Sequence, residues 1–234
     1  MLSLDVLIPA RDEAEALPHV LRALPREGPG WRLRQVVVVD NGSQDGTAGV
    51  ARGLGAVVVG EPVAGYGRAC QAGLAHLRAD PPGVVAFLDA DASDDPRELP
   101  LLLAPLVSGE AELVIGSRVL GEREPGAFTP AQAFGNRLAP ALLRLFWGVR
   151  ATDLGPFRAI RWATLGQLRL RDRGFGWTVE MQARAANLHV PTTEVPVSYR
   201  RRRHGRSKIS GTVLGSLRAG ATILGTLARV RLGG

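Results

Sequence analysis

Val84-Val85-Ala86-Phe87-Leu88-Asp89-Ala90-Asp91 reads as a buried strand ending in two carboxylates one residue apart. In an extended chain, residues i and i+2 project to the same side, so both carboxylates can converge on one point. Paired hard oxygen donors at a strand end suit Mg²⁺ or Mn²⁺ carrying a diphosphate, whose own oxygens complete the coordination. The plainer alternative is that this acidic stretch only ends a strand and caps a helix. Asp94 or Asp95 ahead of Pro96, with Glu98 in the next turn, is a good helix start. Capping accounts for Asp94 and Asp95 better than for Asp89 and Asp91.

Working outward, strand-like and helix-like segments alternate. Residues 4–9 read as a short buried strand and 13–24 as a helix. Residues 35–40, with four consecutive valines, form a second buried strand, followed by a turn at 41–47 and a helix to about 54. A strand at 56–59, a helix at 67–78 and the strand at 84–88 continue the pattern. β-Branched runs alternating with helices predict a mostly parallel sheet covered on both faces, an α/β fold. Ligands of such sheets bind beyond the carboxyl ends of the strands, where Asp40, Asp89 and the loop from Pro9 to Glu13 fall. After Pro96 we expect a helix at 98–106, a strand at 112–116, a loop at 121–130 and a markedly apolar helix at 136–148. A late strand at 194–199, a basic loop and an amphipathic C-terminal helix complete the chain. No repeat or low-complexity linker divides it, so one domain is expected over 1–234.

At 234 residues the chain can bury a sizeable core. Its 29 Lys and Arg against 22 Asp and Glu give +7, favouring anionic partners such as phosphates, an acidic membrane surface or nucleic acid. The single cysteine, Cys70, excludes an internal disulfide and any cysteine metal cage, and reads as a small buried residue. No basic leader precedes an apolar run at the N-terminus, and no stretch reaches the roughly 18 uncharged residues a bilayer span requires. A cytoplasmic protein, soluble or peripheral on the inner face of a membrane, is the expectation.

A dinucleotide-binding fold would place a glycine-rich turn after the first strand. The chain has Ile8-Pro9-Ala10-Arg11-Asp12-Glu13 there, which counts against a nicotinamide oxidoreductase and equally against a nucleotidyltransferase. Gly65-Tyr66-Gly67 follows the wrong strand and lacks a third glycine. Asp40 is suited to a ribose or base, or simply to the turn before Asn41-Gly42.

Together these segments resemble glycosyltransferase family 2, in the branch of dolichyl- and polyprenyl-phosphate mannose and glucose synthases. The matching stretches are Ile8 to Glu13, Val38-Val39-Asp40-Asn41-Gly42-Ser43-Gln44-Asp45-Gly46-Thr47, Gly65-Tyr66-Gly67-Arg68-Ala69, Asp89-Ala90-Asp91 and Gly116-Ser117-Arg118. They continue with Gly135-Asn136-Arg137, Thr152-Asp153-Leu154-Gly155-Pro156-Phe157-Arg158, Trp177-Thr178-Val179-Glu180-Met181, Glu194-Val195-Pro196-Val197 and Arg203-His204-Gly205-Arg206-Ser207-Lys208. The order is that of the family, from about residue 5 to about 212. No one motif decides the matter, but their ordered combination is highly specific.

The resemblance implies a GT-A fold, a nucleotide sugar donor and Mg²⁺ or Mn²⁺ on Asp89 and Asp91. It assigns donor contacts to Pro9, Ala10, Arg11, Glu13, Asp40, Gly67, Arg68, Ala90 and the terminal Arg203, Arg206, Ser207 and Lys208. Arg118 stands where the family has an arginine near the acceptor phosphate, with Ser117, Asn136 and Arg137 on the same acceptor side. The nucleotide-binding half would be 1–118 and the acceptor- and membrane-facing half 119–234. Mannose synthases often carry Gln two residues beyond the second aspartate; here that position is Ser93.

Elementary chemistry points the same way. A sugar leaving a nucleotide needs its diphosphate neutralised by a metal and by basic side chains, which Arg200 to Lys208 can supply. A solvated charge run or a nucleic-acid patch is the rival reading; without base-stacking aromatics beyond Tyr199, no nucleic-acid partner is expected. A phosphate acceptor is already anionic and needs no base, whereas a hydroxyl acceptor would need a carboxylate, for which Asp153 and Glu180 are the candidates. In-line displacement would invert the anomeric centre. Leu138, Ala141, Leu142, Leu145 and Phe146 share one helical face, as do Val213, Leu217, Leu224 and Leu227. Core packing or an anionic membrane surface fits both stripes. The leading expectation is an inverting, metal-dependent hexosyltransferase acting from GDP-mannose or UDP-glucose onto polyprenyl phosphate or another lipid-linked acceptor. A small-molecule, glycan or glycolipid hydroxyl is the runner-up, and a non-catalytic anion-binding protein the alternative of a different class. A homo-oligomer stays open.

Overall fold

The computed structural model describes residues 1–128, 130–202 and 213–233, with side chains at all of these except 130–133 and 213–219. The expected donor contacts at Arg203, Arg206, Ser207 and Lys208 therefore lie outside the described residues, as do the side chains of Val213 and Leu217.

The described strands are β1 (Leu2–Ala10), β2 (Glu27–Gly28), β3 (Trp31–Asp40), β4 (Val57–Gly60), β5 (Val84–Phe87), β6 (Leu113–Ser117), β7 (Arg158–Arg161) and β8 (Thr192–Pro196). They form one sheet in the order β2-β3-β1-β5-β7-β6-β8, with β4 also pairing β3. β1 runs parallel to β3 and β5, β3 parallel to β4, and β6 parallel to β8. The expected parallel sheet is thus mostly right. The departures are the two-residue β2, antiparallel to β3, and β7, which enters antiparallel between β5 and β6. Arg158-Ala159-Ile160-Arg161 is short and half charged, so it lacks the apolar run that marks a buried strand.

The helices are α1 (Leu17–Ala23), α2 (Thr47–Gly53), α3 (Tyr66–Leu77), α4 (Leu99–Ser108), α5 (Pro130–Trp147), α6 (Trp162–Leu168), α7 (Trp177–Asn187) and α8 (Val213–Arg231). Alternation along the central strands builds two cores, one per face. Val6, Ile8, Val36 and Val38 pack with Leu17, Val20, Leu99, Leu102 and Leu106. Leu7, Val37 and Val39 pack on the other side with Cys70, Leu77, Leu168, Trp177 and Met181. Cys70 is buried, as its composition suggested.

α1 starts at Leu17 rather than near Glu13, because the preceding loop is committed elsewhere. Asp12 is left-handed (φ 51°), donates its N–H to Ser43 Oγ at 3.0 Å and accepts from the Gln44 N–H at 2.7 Å. α5 starts at Pro130, six residues before the expected point; proline is at ease in a first helical turn. A third cluster joins the last helices, with Ala139 and Leu143 of α5 against Val179, Ala183, Leu227 and Val230.

Candidate active site

The carboxyl ends of β1 and β3 form one wall. Their loops are stitched by Glu13 N–H to Thr47 Oγ1 (2.9 Å) and Ala14 N–H to Asp45 Oδ2 (3.1 Å). Asp40 accepts the Ser43 N–H at 3.1 Å through Oδ1, and its side chain makes no second hydrogen bond among the described residues. Asn41 fixes the neighbouring loop by donating to the carbonyls of Glu61 and Val63 and accepting the Gly65 N–H at 2.8 Å. Ala10 is buried, Pro9 half-buried and Arg11 exposed beside this wall.

The first turn of α3 does not cradle a phosphate. Gly67 donates its N–H to the Gly174 carbonyl and Arg68 to that of Arg173, both at 3.1 Å. A Cβ on Gly67 would collide with the Asp172 carbonyl oxygen. Gly67, expected among the donor contacts, is thus packed closely against residues 172–174 with its N–H already bonded.

β5 delivers the two carboxylates as its sequence foretold. Asp91 Oδ1 accepts the Ser93 N–H at 2.9 Å, across a turn that holds Ala92 left-handed at φ 59°. Asp91 Oδ2 is gripped by Arg202, from Nη2 at 2.7 Å and Nε at 3.1 Å, while Arg202 Nη1 reaches Glu13 Oε1 at 2.8 Å. A guanidinium thus sits across the carboxylates of two strand ends. Asp89 accepts no hydrogen bond among the described residues. Burial first, and the Asp91 charge second, push its carboxyl up to about 7, against the pull of Arg118 and Arg202. No three carboxylate, imidazole or thiolate groups converge among the described residues. The protein would therefore give a cation two ligands, Asp89 and Asp91, and leave the rest of its shell to the substrate. Hard oxygen donors crowded enough to hold protons, with a cationic side chain already resting on one of them, fit a divalent ion.

Opposite stand Arg118, just past β6, and Asp153, in the loop entering β7. Asp153 Oδ2 accepts Arg118 N–H at 2.9 Å and Nε at 2.7 Å; Oδ1 accepts Nη2 and the Leu154 N–H, both at 2.8 Å. Asp153 is fully buried, and Arg118, itself 8% exposed, holds its carboxyl below the usual range against burial. Glu194 of β8 ties down Thr152 N–H and Oγ1, and Arg158 donates to the carbonyls of Leu154, Gly155 and Thr178. The remaining face of Arg118 lies over the rings of Phe128 and Tyr199, 5.0 and 4.8 Å from their centroids.

The structure shows what three expected site residues hold. Four hydrogen bonds occupy the oxygens of Asp153, three of them from Arg118. The oxygens of Glu180, the other candidate base, are occupied as well. Its Oε2 accepts the N–H groups of Arg171 and Asp172 at 2.9 and 2.7 Å and its Oε1 accepts Arg184 Nε at 2.8 Å. It anchors the loop that packs on Gly67. Ser117 is buried, its hydroxyl bonded to Thr152 Oγ1 at 2.6 Å and to the Leu120 N–H, so it does not face an acceptor. Asn136 and Arg137 stand on α5, and no hydrogen bond links either to Arg118 among the described residues. Two residues were missed. Arg202 was read only within the basic loop from Arg200 to Lys208, without its pairing to Asp91 and Glu13. Asp94 was read as a cap, yet Asp95 alone caps, accepting the Arg97 N–H at 3.1 Å. A single N-cap cannot use two adjacent aspartates, and that was the available signal.

Residues 5–169 match the family described as Glycosyl transferase family 2. This chain belongs to that family. The match spans β1 to α6 and so includes both site walls. Among similar proteins, an uncharacterized glycosyltransferase of Mycobacterium tuberculosis is 40% identical over 214 residues, covering 91% of this chain and 92% of that one. Undecaprenyl-phosphate mannosyltransferase of Micrococcus luteus is 32% identical over 237 residues, covering 95% and 94%. The transferase also superposes on glucosyl-3-phosphoglycerate synthase from Mycobacterium tuberculosis, crystallised with Mn²⁺, uridine diphosphate and glucosyl-3-phosphoglycerate. That match has a TM-score of 0.76 at 22% identity, covering 97% of this chain and 80% of the other, and establishes the GT-A fold.

Proposed function

We propose that this transferase moves one hexose from a GDP- or UDP-sugar to a polyprenyl phosphate, with inversion. The carrying observation is that Arg118, whose charge acts on Asp89, is fixed by Asp153, while both candidate bases, Asp153 and Glu180, have their lone pairs occupied. A site with a preset cation and no such base suits an acceptor that arrives already charged. The name of the Micrococcus luteus relative supports this choice. Asp40 and the Pro9 to Glu13 loop hold the nucleoside. Mg²⁺ or Mn²⁺ on Asp89 and Asp91 would neutralise charge on the departing diphosphate. Arg118, fixed by Asp153 and pressed against Phe128 and Tyr199, orients the acceptor phosphate for in-line attack. Arg202 then exchanges its carboxylate partners for diphosphate oxygens.

The test is transfer of radiolabelled hexose to short-chain polyprenyl phosphate and to the matching alcohol, with GDP- and UDP-sugars and Mn²⁺. Transfer to the phosphate with inverted configuration is expected; transfer to the alcohol alone, or retention, would refute the reading. A hydroxyl acceptor keeps one argument in its favour, since Asp94 is a carboxylate beside Arg118 with no hydrogen-bond partner.

The acceptor's lipid calls for a membrane-facing surface. No described helix is long and apolar enough to cross a membrane. On α5, however, Ala139 and Leu143 turn inward, while Phe134 (65% exposed), Ala141, Leu145 (72%) and Phe146 turn outward. The face expected at 138–146 is thus largely the outer one. Phe134, Leu138, Ala141 and Leu145 follow helical spacing, with Arg137 and Arg144 alongside, which suits an anionic interface. On α8, Leu227 is buried and Leu224 exposed, so its apolar stripe is split. The wild type should co-sediment with anionic vesicles, less so at high salt, and Phe134→Ser/Leu145→Ser should abolish this. Equal binding by the variant would remove α5 from the interface.

A further inference from the structure

Asp94 is 3% exposed, and neither carboxylate oxygen has a hydrogen-bond partner. A buried carboxylate in that state weakens a fold, so its retention asks for an occupant. It is not a helix cap, since Asp95 does that. Arg118 is its strongest charged neighbour, followed by Asp89, Asp91 and Asp153. It is therefore a neighbour both of the acidic pair, where the diphosphate would end, and of Arg118, where the acceptor would begin. The transferred ring must span that gap, and a hexose ring offers hydroxyl donors where the flanking groups are anions or a cation.

We propose that Asp94 is the hexose-recognition residue, its two oxygens accepting hydrogen bonds from neighbouring ring hydroxyls of the donor sugar. This rests on the nucleotide-sugar reading above. Its backbone bridges to Tyr199, and the adjacent Ser93 carbonyl accepts the Arg200 N–H at 2.8 Å. The segment from Tyr199 to Arg202 thus lies across Asp94 and must give way as the ring enters. That movement also releases Arg202 from Asp91, coupling sugar entry to diphosphate capture. Charged acceptors discriminate strongly because a sugar lacking the matching hydroxyl leaves them unpaired again.

The experiment measures binding of GDP, UDP and their hexose conjugates, each with Mn²⁺, to the wild type, Asp94→Asn and Asp94→Ala by calorimetry, alongside melting temperatures without ligand. Both variants should keep wild-type affinity for the preferred nucleoside diphosphate. They should lose about 10- to 100-fold in affinity for its hexose conjugate. Asp94→Asn should melt no lower than the wild type, which separates recognition from folding. Equal loss for diphosphate and conjugate would make Asp94 a partner of the metal and overturn the proposal. Unchanged conjugate affinity with slowed transfer would make it a proton acceptor and overturn it equally. A wild type that binds no nucleotide would overturn the donor reading itself, and this proposal with it.

Discussion

Asp153→Ala should destabilise the transferase by about 3–5 kcal/mol, because it strands the Arg118 guanidinium in the interior without its counter-ion. The side chain lost accepts three hydrogen bonds from Arg118 and one from the Leu154 N–H. Neither stacking on Phe128 and Tyr199 nor Asp94, which makes no hydrogen bond to the guanidinium, replaces a bidentate carboxylate at 2.7 and 2.8 Å. At about 2–4 °C per kcal/mol for a chain of this size, the melting temperature should fall by roughly 6–20 °C. Arg118→Met in the same background should recover part of the loss, since a buried cation without a partner costs more than none. Chemical denaturation of the two single variants and the double variant measures this directly. Additive losses would mean that the pair is not the coupled unit described here.

Asp153 also shows where sequence reasoning stops. Its motif singled it out, but its pairing with Arg118 depended on β7. Arg158 to Arg161 carry no strand-like run, so nothing local told that this segment slots between β5 and β6 and brings Asp153 against Arg118. Glu180 is similar, since its partners are backbone N–H groups of a loop nine and eight residues earlier, which have no sequence signature. By contrast, the strand from Val84 was legible because a short apolar, β-branched run marks a buried strand, although β5 stops at Phe87 and Asp91 lies in the turn beyond it. The valines of β3 were legible for the same reason. α5 was half legible. Its apolar residues occur all round the helix, so spacing identified a helix but could not tell the buried Ala139 and Leu143 from the exposed Phe134 and Leu145.

Asp91→Asn should reduce transfer by about 10²- to 10⁴-fold, which is several kcal/mol of metal-borne charge stabilisation expressed as rate. The amide keeps the shape and can still accept the Ser93 N–H, so folding is largely preserved while one of two anionic cation ligands is gone. The same change removes the charge that Arg202 grips at 2.7 Å, leaving Glu13 at 2.8 Å to hold the guanidinium. Arg202 already holds the Asp91 carboxylate that a divalent ion would need, so the two would compete for it. Arg202→Ala should therefore bind Mn²⁺ alone more tightly than the wild type, yet bind nucleoside diphosphate with Mn²⁺ more weakly, having lost a donor to the phosphates. Manganese binding followed by electron paramagnetic resonance, with and without nucleotide, reads both effects apart from turnover. If Arg202→Ala and the wild type titrate identically with the bare ion, the guanidinium does not occupy the cation's place. If Asp91→Asn retains full transfer, the acidic pair at the end of β5 is not where the leaving group is held.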